Sequence, residues 1–119
     1  MDFIPTNQPF ENEYPKLVRD RIPEKIKRDT GKEPPTRTLT DDKEFLEYLA
    51  KKLLEEGSEL GYSLTHGNFT EEMADVFEII TAMLKVKGLT IEDIITVQKE
   101  KREKNGGFEK RILMFKKES

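Results

Sequence analysis

From about residue 41 onward, apolar side chains recur every three or four positions, which is the period of a helix packed along one face. Three long helices are predicted. The first opens near Thr40-Asp41, where Asp41 and Glu44 resemble a capping box, and runs to about Thr65 before His66-Gly67-Asn68 turns the chain. The second starts at Asn68, with Glu71 three residues on, and runs to about Lys87, where Gly88 stops it. The third begins at Thr90, with Asp93 at the reciprocal capping position, continues to Lys104, and ends at Asn105-Gly106-Gly107.

The remaining segments are less regular. A short helix is expected after Pro23, ending before Gly31, followed by an extended linker over residues 29–40 with Pro34-Pro35. Residues 1–13, with Asn, Pro and Gln and no period, suit a flexible arm. The run Phe108 to Phe115 suits a strand or a packed extended arm. The tight turn between the first two long helices makes them antiparallel neighbours. The expected fold is an all-α antiparallel bundle in one domain over residues 14–119, with short extended segments at both ends.

Composition narrows the function. Only 34% of the 119 residues are hydrophobic and 38% are charged, so burial against a second copy is expected. With 24 acids against 21 bases there is no basic excess, which argues against a nucleic-acid partner. The absence of cysteine removes disulfides, thiolate metal sites and cysteine nucleophiles, and the single histidine, His66, disfavours histidine-based centres. The N-terminus lacks a basic start and an apolar run, and Met73–Val86 is interrupted by Asp75, Glu78 and Lys85. The expectation is a soluble cytoplasmic protein without a membrane partner. Its chemistry must then rest on carboxylates, lysines, arginines, hydroxyls or a bound metal.

The acids are not all placed where solvent would want them. On a helical wheel, Leu46, Leu49, Leu53, Gly57, Leu60 and Leu64 form one stripe of the first long helix. Glu56 lies at its edge, Glu59 is one turn away on the same side, and Glu55 points further round towards solvent. In the second helix Glu72 shares the row of Val76, Ile79 and Met83, and Asp75 that of Ile79, Ala82 and Val86. Its polar sector is so narrow that the helix reads as covered on most sides.

Closing the hairpin brings Glu56, Glu59, Glu72 and Asp75 to similar height. Four carboxylates in one volume repel, and a buried unpaired one costs several kcal/mol. A divalent cation removes that penalty, and oxygen-only donors select Mg²⁺ first and Mn²⁺ second. An acid-rich chain also produces such spacings by chance on solvated faces. Buried acids could instead meet Lys52 or Lys85.

These residues also carry a resemblance. Glu55-Glu56-Gly57-Ser58-Glu59, followed by Glu72-Met73-Ala74-Asp75, resembles the EExxE…ExxD signature of the all-α NTP pyrophosphohydrolases, which include MazG-like proteins, dimeric dUTPases and phosphoribosyl-ATP pyrophosphohydrolases. Tyr14 to Pro23 is similar to the KLVRDxIP opening of a phosphoribosyl-ATP pyrophosphohydrolase-like, MazG-like subgroup. Lys101 to Phe108 looks like that subgroup's KRxxRGGF ending, with departures at Lys104 and Asn105.

The resemblance implies a homodimer or homotetramer, with Mg²⁺ on Glu56, Glu59, Glu72 and Asp75. It implies hydrolysis of a nucleoside triphosphate or phosphoribosyl-nucleotide between the α- and β-phosphates. Water activation would fall to Glu55 or Glu59. The phosphates would be gripped by Lys16, Arg19 and Arg21 in the opening segment and by Lys101 and Lys104 before the glycine pair. Asp20 would hold Arg19 or cap the short helix, Tyr62 could stack on a base, and Phe108 suits apolar packing. Two other readings stay open: a non-catalytic nucleotide-binding or interaction module of the same fold, and a plain bundle with solvated acids.

Overall fold

In a computed structural model that describes residues 14–118, the chain forms four helices and, among these residues, no strand. They are α1 (Ile22–Thr30), α2 (Asp42–His66), α3 (Phe69–Lys87) and α4 (Ile91–Asn105). The expected arm over residues 1–13 lies outside the described residues. No helix among the described residues is long and apolar enough to cross a membrane.

Local chemistry sets the boundaries. Pro23 sits in the first turn of α1, and Gly31 closes it with φ 75° and its N–H on the carbonyl of Lys27. At α2 the Asp41 side chain accepts from the Glu44 N–H, but the box is only half made. The Glu44 carboxylate is taken instead by Arg37, which donates two bonds of 2.9 Å from the linker. Asn68 does not cap α3 with its side chain; it turns the chain through the left-handed region at φ 67°. Thr90 and Asp93 form the expected reciprocal capping box.

The one extensive contact between helices among the described residues is the antiparallel pair α2–α3. Leu49 of α2 and Ile79 of α3 are its buried apolar side chains. Part of the predicted stripe stays open in the single chain: Leu46, Leu53 and Leu60 are half-buried, but Leu64 is 67% exposed and Gly57 faces open space. Nor is α3 covered on most sides, since Phe77 is more than half exposed. α4 has no buried residue, and Ile91, Ile94, Ile95 and Val97 all face outward.

The tail from Phe108 to Phe115 is neither a strand nor packed; Phe108 and Phe115 are almost fully exposed. Short apolar runs order themselves only against a surface, and the single chain offers this one none. The Cα radius of gyration, 18.1 Å, exceeds the roughly 13–14 Å of a compact domain of this length.

Candidate metal centre

The site is built where α2 and α3 face each other. Helical spacing puts Glu56 and Glu59 on one side of α2, and the hairpin turn brings Glu72 opposite them. One carboxylate oxygen from each of Glu56, Glu59 and Glu72 lies within 4.8 Å of the other two. Glu56 is buried, and Glu59 and Glu72 are half-buried. Oε2 of Glu56 and Oε2 of Glu72 are both buried without a hydrogen-bond partner.

That arrangement is electrostatically unfavourable as it stands. Burial first, then the neighbouring Glu56 and Glu72, pushes the Glu59 carboxyl from its ordinary 4.5 up to about 8. Glu72 is raised too, chiefly by burial, with Glu56 and Asp75 adding to it, while its contact with Glu59 acts the other way. Orphaned buried carboxylate oxygens are rare and need an explanation. A hard divalent cation supplies one, because the donor set is all oxygen and the excess negative charge is what such an ion neutralises.

Three of the four predicted ligands therefore converge. The fourth does not join them: Asp75, one turn after Glu72, accepts a 2.7 Å bond at Oδ1 from Nη2 of Arg19. Arg19 is thus held from α3, not by Asp20, and α1 has no side-chain N-cap at all.

Glu55 departs from expectation. It points not to solvent but into the fold, 8% exposed, because Pro15, Lys16 and Leu17 fold across this side of α2. Lys52 Nζ lies 3.3 Å from Glu55 Oε2 and 3.5 Å from Glu56 Oε1, so one ammonium serves both acids. Glu55 is outside the carboxylate cluster.

Beside the cluster runs a groove of about 980 Å³ between the hairpin and the segments on either side of α1. Glu56, Asp75 and Lys52 lie on its hairpin wall, and Lys16 and Arg19 on the opposite one. Arg21 is exposed and does not line it, and Lys101 and Lys104 on α4 contribute nothing to groove or cluster in the same chain. Tyr62 stacks on His66 at 3.8 Å between ring centroids, near the end of α2, and is not among the groove's residues.

Tyr48 borders the groove without having been expected there, whereas Lys52, expected only as an alternative partner for buried acids, is that partner for Glu55 and Glu56 and lines the groove as well. Their signal was present: Tyr48, Lys52 and Glu56 are spaced i, i+4, i+8 along one face of α2.

A helical hairpin with Glu56 and Glu59 on one helix facing Glu72 on the other is an acidic centre of the class that could hold a metal ion. The family model described as phosphoribosyl-ATP pyrophosphohydrolase matches residues 15–102, most of the chain, and the protein belongs to that family, within the all-α NTP pyrophosphohydrolase superfamily. Comparison with curated proteins and with solved structures gives no match.

Proposed function

We propose that the protein is a Mg²⁺-dependent nucleotide pyrophosphohydrolase. It would hydrolyse a nucleoside triphosphate or phosphoribosyl-nucleotide between the α- and β-phosphates, giving the monophosphate and pyrophosphate. The observation that carries this is the pair of partnerless buried oxygens of Glu56 and Glu72, next to Glu59, beside a groove that Glu56 borders together with Lys16, Arg19 and Lys52.

Glu56, Glu59, Glu72 and, once freed, Asp75 would hold the ion, for which Mn²⁺ is the nearest substitute. An ion held there would supply charge neutralisation for the phosphates and activation of the attacking water. Of the two acids considered for activating water, we favour Glu59, which would take the proton, since Glu55 pairs with Lys52 outside the cluster. Lys16 and Arg19 face the groove and would bind the phosphates there. Lys101 and Lys104 could act only on another copy's site, and Arg21 only after the opening segment shifts. That geometry suits a homodimer or homotetramer joined through the uncovered faces of α3 and α4.

The test is pyrophosphate release from a panel of nucleoside triphosphates and phosphoribosyl-nucleotides with Mg²⁺, comparing wild type with Glu56→Gln and Glu72→Gln. Release should fall at least a hundredfold in both variants. Equal release from all three proteins would refute the assignment. Tight nucleotide binding without turnover in the wild type would favour the non-catalytic module.

A further inference from the structure

We propose that Arg19 and the divalent cation exchange places at Asp75, and that the displaced guanidinium then takes a phosphate of the substrate. This rests on the metal-dependent reading above and adds to it a handover between two cations.

Both acids in question stand on α3. Asp75 follows Glu72 by three residues, so both carboxylates rise from one face of the helix, and the charge of Asp75 is felt at Glu72. Only Glu72 reaches the cluster. What separates them is Arg19, which lies 56 residues away in sequence and arrives from the segment before α1. Its guanidinium does for Asp75 what an ion does for the other three acids: it supplies the missing positive charge.

The latch is weak and movable. The Arg19 side chain is 56% exposed and that of Asp75 38%, so the pair is screened by water, and neither side chain needs to unpack in order to turn. A divalent ion already drawn by Glu56, Glu59 and Glu72 offers Asp75 twice the charge. Arginine cannot lose its proton, so a displaced guanidinium stays positive and needs another anion. Arg19 and Asp75 both border the groove, and a polyphosphate there provides one with geometry suited to a guanidinium fork. Before loading, Arg19 keeps an uncompensated acid satisfied; after loading, the same charge serves the substrate.

The rival account, in which Arg19 braces Asp75 in the position the metal needs, predicts the opposite sign for one measurement. Calorimetric titration of Mn²⁺ into the metal-free protein, without nucleotide, should show Arg19→Gln binding the ion about two- to fivefold more tightly than wild type, because a competitor is gone. Arg19→Lys should fall between them. At saturating Mn²⁺, an α,β-methylene nucleoside triphosphate should bind Arg19→Gln about tenfold or more weakly than wild type. Unchanged or weaker Mn²⁺ binding by Arg19→Gln overturns the exchange, and equal analogue affinity overturns the handover. If wild type takes up Mn²⁺ no better than Glu72→Gln, the metal centre itself is refuted, and the exchange with it. A normal wild-type isotherm beside an unaltered Arg19→Gln refutes the exchange alone.

Discussion

Glu59→Gln tests the electrostatics of the centre with a single atom changed in kind. In the metal-free protein the Glu59 carboxyl titrates at about 8 instead of 4.5. The sign follows from linkage: a carboxyl whose folded value is raised favours the fold when protonated, so stability falls as pH rises from about 4.5 to about 8. Unscreened, that displacement corresponds to about 5 kcal/mol. The side chain is only half-buried, and water access leaves about 1–2 kcal/mol of it.

A neutral amide of the same shape removes this penalty. For a chain of this size the gain should appear as a Tm about 4–8 °C above wild type at pH 8.5 in EDTA, shrinking towards zero near pH 5. Saturating Mg²⁺ should reverse the order, because the wild type gains a ligand-bound state that the variant lacks in part. Thermal unfolding followed by circular dichroism at one fixed protein concentration reads all three conditions. If metal-free Glu59→Gln is no more stable than wild type at pH 8.5, the three carboxylates do not crowd one another and the reasoning fails.

Other consequences follow from the same geometry. Because Glu59 holds its proton up to about pH 8, cation binding should release close to one proton at neutral pH. Affinity should then climb from pH 6 to 8 and level off above; titrations in buffers of different ionisation heat check this, and an affinity flat over that range contradicts it. Lys52→Met leaves both Glu55 and Glu56 without their ammonium and should lower stability in urea by about 2–3 kcal/mol. Lys52→Arg should restore most of that loss, and a change under about 0.5 kcal/mol would mean the pairs contribute little. Wild type should sediment as a dimer or larger, and Ile94→Asp with Ile95→Asp, both on the open face of α4, should yield monomer. A monomeric wild type at tens of micromolar would end the case for a shared interface.

Most of the fold was legible because it is local. Proline, glycine and the Thr90–Asp93 box mark helix ends by chemistry that acts over three or four residues, and α2, α3 and α4 begin and end within a residue or two of expectation. Glu56, Glu59 and Glu72 were legible for a related reason, since a short turn fixes how two adjacent helices meet. What failed depends on contacts across the chain. Glu55 is buried because the segment at Pro15–Leu17 lies over α2, and Asp75 is diverted because Arg19 reaches it. Neither docking leaves a periodic trace in the sequence. Glu44 shows the same limit on a smaller scale, its expected backbone partner displaced by Arg37 from the linker.

The distribution of burial links the site to the rest of the molecule. The buried side chains include two apolar ones, Leu49 and Ile79, against three polar ones, Glu55, Glu56 and Ser63. Burying carboxylates opposes folding while burying leucine and isoleucine favours it, so the charged part of the α2–α3 interior works against the apolar part. Two external contributions are available to it. A cation at Glu56, Glu59 and Glu72 would cancel the unfavourable charge, and a second copy over α3 and α4 would cover the apolar faces that Phe77, Ile94 and Ile95 leave open. Both act on the folded hairpin and not on the unfolded chain, so each raises the population of the state that the other binds. The acids that would perform the chemistry are thus also the groups whose burial opposes the fold most directly.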